Sequence, residues 1–246
     1  MFSFRVFLMA FIFAFGAARL GFDLSVPADA DTWACLHEEA KGAFGIVRVY
    51  RNIGQVDKNA TNSILSSLGT FATLDGYMFP CVANSPYALN NSIACDTPDV
   101  QVKRTLDFLA EDGIGVEGSS LQPTPYFPLR ATLGKIWIDI EDEVPSKYFS
   151  PRIQDNVDLL QSMVGALEGY GISVGIYTTS TYWKNIMGNV EGYGKHSLWY
   201  PRYDDINSMD FFEPFADFDN VQIKQTQGNV ALCGLTQVDS NYESMV

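Results

Sequence analysis

Eight short apolar runs are spread along the 246 residues of this chain, and the first five alternate with stretches of helical periodicity. Alternating strand and helix signals predict βα units and a parallel sheet. After Ser197 the helical signal fades and strands follow one another. We therefore predict an α/β fold, a TIM-like barrel of eight strands with helices mainly in the first five units, (β/α)5β3. The runs are Gly21–Ser25, Gly45–Tyr50, Gly76–Cys81, Lys135–Glu141, Ser173–Thr178, Ser197–Tyr203, Val221–Gln225 and Gln237–Asn241.

Capping residues and apolar spacing predict the helices. Thr97-Pro98 and Ser150-Pro151 each place an N-cap residue before a proline at the first helical position. In barrels of this kind, functional side chains lie at the carboxyl ends of the strands. The predicted helices are Asp31–Ala40, Asn62–Leu74, Thr97–Asp112, Ser150–Tyr170 and Tyr182–Met187.

The first 18 residues have the pattern of a secretory signal peptide. An uncharged run, Val6–Phe15, is too short to span a bilayer and is followed by small residues. We expect residues 1–18 to be removed and residues 19–246 to form one barrel domain, secreted or lumenal, monomeric and without membrane contact. On that route Asn59 and Asn90, which begin N-x-Ser/Thr triplets, are candidate glycosylation sites.

Four widely spaced cysteines agree with an oxidising compartment. They form no CxxC pair, which argues against zinc and favours two disulfides with three possible pairings. The simplest pairing joins the two that flank one polar loop, Cys81 and Cys95, and leaves the other two together. The four are Cys35, Cys81, Cys95 and Cys233.

The net charge and the number of histidines exclude several kinds of partner and site. The chain has 16 Lys+Arg against 29 Asp+Glu, a formal net charge of -13, and two histidines. The acid excess argues against nucleic acid and anionic membranes as partners. Two histidines exclude a three-histidine zinc site and leave few ways to build a histidine-based triad. We expect no cofactor and no metal, and a chemistry of carboxylates.

The stretch Lys135–Glu143 carries the clearest chemical signal. Isoleucines alternate with Trp137, Asp139 and Glu141, so these three side chains share one face, which we assign to the barrel lumen. Carboxylates at i and i+2 lie about 6.6–6.8 Å apart along a strand. Burial and like charge raise the pKa of one of them, as a general acid requires. The alternatives are a solvated acidic strand end, as we expect for Asp142 and Glu143, and a divalent-cation site.

Two further acids occupy strand positions near the chain ends. Asp23 lies in the first predicted strand and Asp239 in the last. First and last strands are neighbours in a closed barrel, so the two carboxyls could face each other across one seam. Either residue alone is more often a turn or cap residue.

Taken in order, these stretches resemble glycoside hydrolase family 25, the N-acetylmuramidase lysozymes, and among them the nematode and protist members. The resemblance covers nearly the whole mature chain. The sequence departs from the family pattern at two places. Gln225 is flanked by Lys224 and Thr226, where the family usually has Trp and Tyr. The segment Ser85–Asn91 is an insert that the bacterial members lack. The stretches that carry it are Gly21–Ser25, Gly45–Tyr50, Gly76–Pro80, Ile138–Glu141, Leu198–Tyr203, Gln225 and Val238–Asn241.

The resemblance implies hydrolysis of the β-1,4 bond between N-acetylmuramic acid and N-acetylglucosamine in a peptidoglycan glycan strand. Glu141 would be the general acid, Asp139 would assist through the 2-acetamido group, and Asp23 and Asp239 would complete the catalytic set. The carboxyl spacing leaves the stereochemistry open, and we favour substrate-assisted retention. Candidate substrate-binding residues are Tyr77, Trp137, Tyr177, Arg202 and Gln225.

Two other functions compete with this interpretation. A family 18 chitinase signature needs aspartates where Gly134 and Trp137 stand. A barrel that binds sugar without cleaving it is opposed by the presence of all four carboxylates. Matches to G-x-S-x-G at Gly171–Gly175 and to G-x-G-x-x-G at Gly113–Gly118 lack the flanking elements those motifs need. Because bacterial walls are anionic, we expect so acidic a chain to act in an acidic compartment such as a gut lumen or phagolysosome.

Overall fold

The computed structural model describes residues 18–71, 73–121, 128–143 and 146–244. Apart from Ala18, the predicted signal peptide lies outside these residues. The elements are β1 (Arg19–Leu24), α1 (Ala30–Glu38), β2 (Gly42–Arg51), β3 (Gln55–Val56), α2 (Ala60–Ser66), β4 (Thr73–Met78), α3 (Pro86–Asn90), α4 (Pro98–Glu111), β5 (Ile114–Val116), β6 (Ala131–Leu133), β7 (Ile136–Asp139), α5 (Ile153–Gly169), β8 (Val174–Tyr177), α6 (Ser180–Met187), β9 (Ser197–Pro201), β10 (Ile223–Leu232) and β11 (Leu235–Glu243).

Eight strands close the barrel in the order β1-β11-β10-β9-β8-β7-β4-β2, and β2 pairs back onto β1. Neighbours from β1 through β10 run parallel, whereas β11 runs antiparallel to both β10 and β1. The helices α1, α2, α4, α5 and α6 make the crossovers between the first six barrel strands. The predicted (β/α)5β3 architecture is confirmed, and each predicted run overlaps one barrel strand.

Some predicted bounds were wrong for local reasons. The second helix ends at Ser66, because the chain turns through Gly69 at φ +82°, a conformation that glycine adopts without strain. The fourth predicted helix begins at Ile153, not at Ser150, because the backbone N–H of Ser150 donates to the Asn156 side chain. The short elements α3, β3, β5 and β6 were not predicted, since two to five residues are too few to show a period.

Side chains of the barrel strands divide into two buried layers. Ile136, Ile138 and Ile140 pack outward in the layer that contacts the helices, as predicted. The lumen layer consists of Phe44, Ile46, Tyr77, Trp137, Tyr177, Trp199 and Ile223. Gly175 stands opposite Trp137 in register, and a Cβ atom there would lie 2.1 Å from the indole. Glycine at that position therefore makes room for the indole that fills the lumen.

Two disulfides tie the loops to the barrel. Cys35 of α1 bonds to Cys233 in the β10–β11 turn, and Cys81 bonds to Cys95 around the segment that contains α3. This is the simplest of the pairings that the sequence allowed. None of the helices in the described ranges is long and apolar enough to cross a membrane.

The two disulfides are expected to differ in their contribution to stability. Cys35 and Cys233 are 198 residues apart, against 14 for Cys81 and Cys95, and loop-closure entropy grows with that separation. The double variant C35A/C233A should lose about 2 kcal/mol more unfolding free energy than the matched double variant C81A/C95A. Urea unfolding of both proteins measures the difference, and equal losses would contradict the loop-closure account.

Candidate active site

Four carboxyl groups meet at the end of the barrel formed by the carboxyl ends of the parallel strands. Asp23 of β1 pairs in register with Asp239 of β11, so the seam expected between the first and last strands brings these residues together. Asp139 is the last residue of β7, and Glu141 follows two residues later. The charges of Glu141 and Asp23 both raise the pKa of Asp139, and Asp239 raises that of Glu141. All four groups therefore share one electrostatic environment.

Two side-chain amides hold the carboxyls of the seam. The Gln225 Nε2 donates to Asp23 Oδ1 at 2.8 Å and to Asp239 Oδ2 at 3.2 Å. The Asn241 Nδ2 donates to the same oxygen of Asp23 at 2.8 Å. Burial, followed by the charge of Asp239, raises the pKa of Asp23 well above its usual range. Burial raises the pKa of Asp239 as well, so these two neighbouring carboxyls hold protons to a higher pH than carboxyls in water.

The acceptor atoms of both amides are also occupied, which fixes their orientation. Gln225 Oε1 accepts hydrogen bonds from the hydroxyls of Tyr177 at 2.8 Å and Tyr203 at 2.9 Å. Asn241 Oδ1 accepts from the indole Nε1 of Trp199 at 2.8 Å. Gln225 is buried and all of its hydrogen-bonding capacity is used. The prediction that it binds substrate was therefore wrong, and its role is to position Asp23 and Asp239.

Asp139 and Glu141 differ in their access to solvent. Asp139 is buried, and its Oδ1 accepts no hydrogen bond from any described residue. Burial, then Glu141 and Asp23, raise the pKa of Asp139 well above its usual range, while Arg48 opposes the rise. Glu141 is only half-buried. Burial, then Asp239 and Asp142, raise the pKa of Glu141 to about 7, and the nearby Tyr177 opposes the rise. Glu141 can therefore hold a proton near neutral pH and reach a substrate.

The other predicted contacts divide into two groups. Tyr77 and Tyr177 lie in the lumen layer close to the carboxyls. Burial is the main cause that raises the pKa of both hydroxyls, and the charges of the carboxyls raise it further. Trp137 has no exposed surface, and its Nε1 donates to Asp75 Oδ2 at 2.8 Å, so its predicted contact with a sugar was wrong. Arg202 is ion-paired with Asp204 at 2.8 Å. A substrate carboxylate would therefore have to compete with Asp204 for Arg202, and the contact predicted between Arg202 and substrate stays a prediction.

The two candidate glycosylation sites lie at the protein surface. The side chain of Asn59 is exposed before α2, and that of Asn90 is exposed at the end of α3. Both positions are therefore open to a glycosyltransferase, and their modification stays a prediction.

Three residues near the carboxyls were missed by sequence reasoning. Asp142, interpreted as solvated, is buried and accepts the backbone N–H groups of residues 143, 147, 148 and 149. It thereby fixes the loop that follows Glu141. Tyr203 keeps an exposed ring beside the seam. Arg48 of β2 acts on the pKa of Asp139. A strand pattern could have placed Arg48 on the lumen side, but nothing in the sequence indicates the fold of the loop around Asp142.

Comparisons with known proteins find similarity to lysozyme-like sequences and to solved structures of the same fold. A family profile described as Lysozyme-like protein 1 matches residues 129–226. Probable GH family 25 lysozyme 5 of Dictyostelium discoideum is 28% identical over 239 residues, 96% of each chain. Lysozyme-like protein 5 of Caenorhabditis elegans is 27% identical over 243 residues, which cover 97% of this chain and 98% of that one. The family GH25 lysozyme structure from Aspergillus fumigatus superposes with a TM-score of 0.64 at 15% identity, over 94% and 95% of the chains.

The raised carboxyl pKa values predict a characteristic pH dependence of stability. A carboxyl whose pKa is higher in the folded than in the unfolded protein stabilises the fold below about pH 4 and loses that contribution as the pH rises through the folded value. Asp139→Asn removes one such group. The variant should unfold about 2–4 °C higher than the parent at pH 8, a shift of roughly 1 kcal/mol, with a smaller gain at pH 5.

Thermal unfolding at both pH values measures this effect. Glu143→Gln is the matched control, because that side chain is exposed. A gain for Asp139→Asn that does not grow between pH 5 and pH 8 would contradict the buried, proton-binding state of Asp139.

Proposed function

We propose that this chain, a glycoside hydrolase of the family 25 lysozyme type, hydrolyses the β-1,4 bond between N-acetylmuramic acid and N-acetylglucosamine in peptidoglycan. The observation that carries the proposal is the unequal pair at the end of β7. Glu141 is half-buried with a pKa of about 7, and Asp139 is buried with an acceptor oxygen that has no partner among the described residues. A proton donor beside a buried acceptor is suited to cleavage of an acetamido sugar. The similarity to the lysozymes of Dictyostelium and Caenorhabditis supports the same assignment.

In the proposed first step Glu141 transfers its proton to the glycosidic oxygen as the bond from that oxygen to C1 breaks. The carbonyl oxygen of the substrate 2-acetamido group forms a bond to C1 on the opposite face. Asp139 orients this group by accepting its N–H at Oδ1, the oxygen that has no partner in the described structure. An acceptor held in place before the reaction stabilises the charge that develops on the acetamido group.

In the second step water attacks C1, and the bond to the acetamido oxygen breaks. Glu141, now a carboxylate, accepts the proton of the water and returns to its starting state. Asp239 supports both steps through charge, because it is the largest electrostatic contribution to the raised pKa of Glu141 after burial, and Asp23 faces it across the seam. Gln225 and Asn241 keep that charge in position.

Glu141→Gln removes the proton donor and keeps the shape of the side chain. The loss of a general acid reduces turnover by about 10²–10⁴-fold. Clearing of bacterial wall suspensions, or release of muramyl fragments, measures the rate. Glu143→Gln is the matched control, since Glu143 lies two residues further on, is exposed and pairs with Lys147 at the surface. A Glu141→Gln enzyme that keeps its rate within tenfold of the parent would show that the acid lies elsewhere.

The dependence of the rate on pH tests whether Asp239 raises the pKa of Glu141. Only protonated Glu141 can act as the donor, so kcat/KM should fall as the pH rises through about 7. Asp239→Asn removes a negative charge near Glu141, lowers the pKa of Glu141 and should move the alkaline limb of the profile toward acid. The measurement is kcat/KM between pH 4 and pH 9 for both enzymes. If the alkaline limb does not move, Asp239 does not raise the pKa of Glu141.

We further propose that the protein acts outside the cytosol, in an acidic compartment. Two disulfides favour an oxidising compartment. A donor with a pKa of about 7 is fully protonated in mildly acidic surroundings. Protonation also reduces the negative charge that would keep the chain away from an anionic wall.

A further inference from the structure

We infer that Arg48 binds a carboxylate carried by the muramyl residue and selects muramyl chains over chains of N-acetylglucosamine alone. The inference rests on the proposed function and deepens it, because it names the substrate group that the site recognises. The carboxylate can belong to the lactyl ether of the sugar or to the peptide attached there, and both present the same chemistry.

The strand register places Arg48 beside the carboxyl centre. On β2, Phe44 and Ile46 point into the lumen, and Arg48 follows them with the same period of two. Arg48 pairs in register with Tyr77 of the neighbouring strand. Its charge acts on Tyr77 and on Asp139, so the guanidinium lies within electrostatic reach of both.

Two hydrogen bonds fix the Arg48 side chain. Its Nε donates to Asp57 Oδ2 at 2.9 Å, and its Nη2 donates to the backbone oxygen of Ser25 at 2.8 Å. Asp57 is itself buried and accepts the backbone N–H of Asn59. The side chain therefore loses little further conformational freedom when a ligand binds, which favours affinity.

One edge of the guanidinium remains available. Arg48 Nη1 donates to no described residue, and the side chain is 23% exposed. The planar fork of arginine is matched to carboxylate oxygens, and such charge-assisted hydrogen bonds are stronger than neutral ones. Asp57 occupies one side of the group, so an incoming carboxylate would meet the free Nη1 donors.

Arg48 is a positive group beside a centre of four carboxyls. The centre holds Asp23, Asp139, Glu141 and Asp239, which repel an anionic substrate when ionised. Among the described residues, Arg48 is the one cation that lowers the pKa of a carboxyl in this set. A muramyl chain differs from an N-acetylglucosamine chain by its carboxylate-bearing substituent, so a fixed cation at this point discriminates between the two.

The test compares Arg48→Gln with the parent enzyme on three soluble substrates of equal length. These are a peptide-free muramyl oligosaccharide with free lactyl carboxylates, the same glycan carrying its peptides, and a chitooligosaccharide. We expect kcat/KM to fall about 10–100-fold on the muramyl substrates, the loss of one hydrogen bond to a charged group, and less than threefold on the chitooligosaccharide. A loss confined to the peptide-free glycan assigns the lactyl carboxylate, and a loss confined to the peptide-bearing glycan assigns the peptide. Where chitooligosaccharide is not cleaved, its inhibition constant supplies the comparison.

An equal loss on all three substrates would overturn the inference, because Arg48 would then act only through the fold or through Asp139. Arg48→Lys keeps the charge without the fork and should retain part of the discrimination. Arg104→Gln is the matched control and should leave the substrate ratio unchanged, since Arg104 lies on α4 and is paired with Asp96 at the surface. Thermal unfolding of each variant identifies a folding defect.

The proposed function can fail independently of this inference. A parent enzyme that cleaves none of the three substrates would overturn the proposed function. Binding of the peptide-free glycan and of the chitooligosaccharide, measured by calorimetry on parent and Arg48→Gln proteins, then tests Arg48 alone. Tighter binding of the muramyl glycan by the parent only would support its role, and equal binding by both proteins would overturn it.

Discussion

The hydrogen bonds that cross the seam between the first and last strands are the constraint on which the site depends. Gln225 and Asn241 each bring one amide to Asp23, and Gln225 also reaches Asp239. These bonds need the barrel to be closed, because they join β1 to β10 and β11, more than 200 residues away in the chain. The Cys35–Cys233 disulfide ties α1 to the same terminal hairpin. Closure of the barrel and assembly of the carboxyl centre are therefore one event.

Burial of carboxyl groups is unfavourable for folding and useful for chemistry. The lumen below the centre is filled by Trp137, Tyr177 and Trp199, which leave no room for bulk water to solvate Asp139 from beneath. An isolated buried charge is costly, so the groups retain protons to a higher pH than carboxyls in water. Glu141 and Asp239 are only half-buried, and Glu141 has a pKa of about 7. The gradient from buried Asp23 and Asp139 to half-buried Glu141 separates groups that orient their neighbours and the substrate from the group that exchanges its proton.

Sequence patterns predicted the strands, the closing seam and the faces of β7, because a period of two determines which side of a sheet a residue occupies. They did not predict how deep in the lumen a residue lies below the carboxyl ends of the strands. Trp137 and Asp139 share a face, yet the first lies in the lumen core with Asp75 and the second lies at the centre. Gln225 was assigned to substrate for the same reason. Asp142 was misjudged because the backbone N–H groups it accepts depend on the path of a loop, which no local pattern encodes.

The departure from the family pattern at Lys224 follows from the alternation of β10. Gln225 points into the lumen, so Lys224 points away from it, toward the segment between β9 and β10. There its Nζ donates to Asp204 at 2.5 Å and to the Ile206 backbone oxygen at 2.8 Å, over the ring of Phe211. A fully buried lysine is tolerated only with such partners. Because Asp204 is the next residue after Tyr203, the ion pair also holds the hydroxyl that donates to Gln225. This ion pair outside the barrel is thus linked to the carboxyl centre through the hydrogen bond from Tyr203 to Gln225.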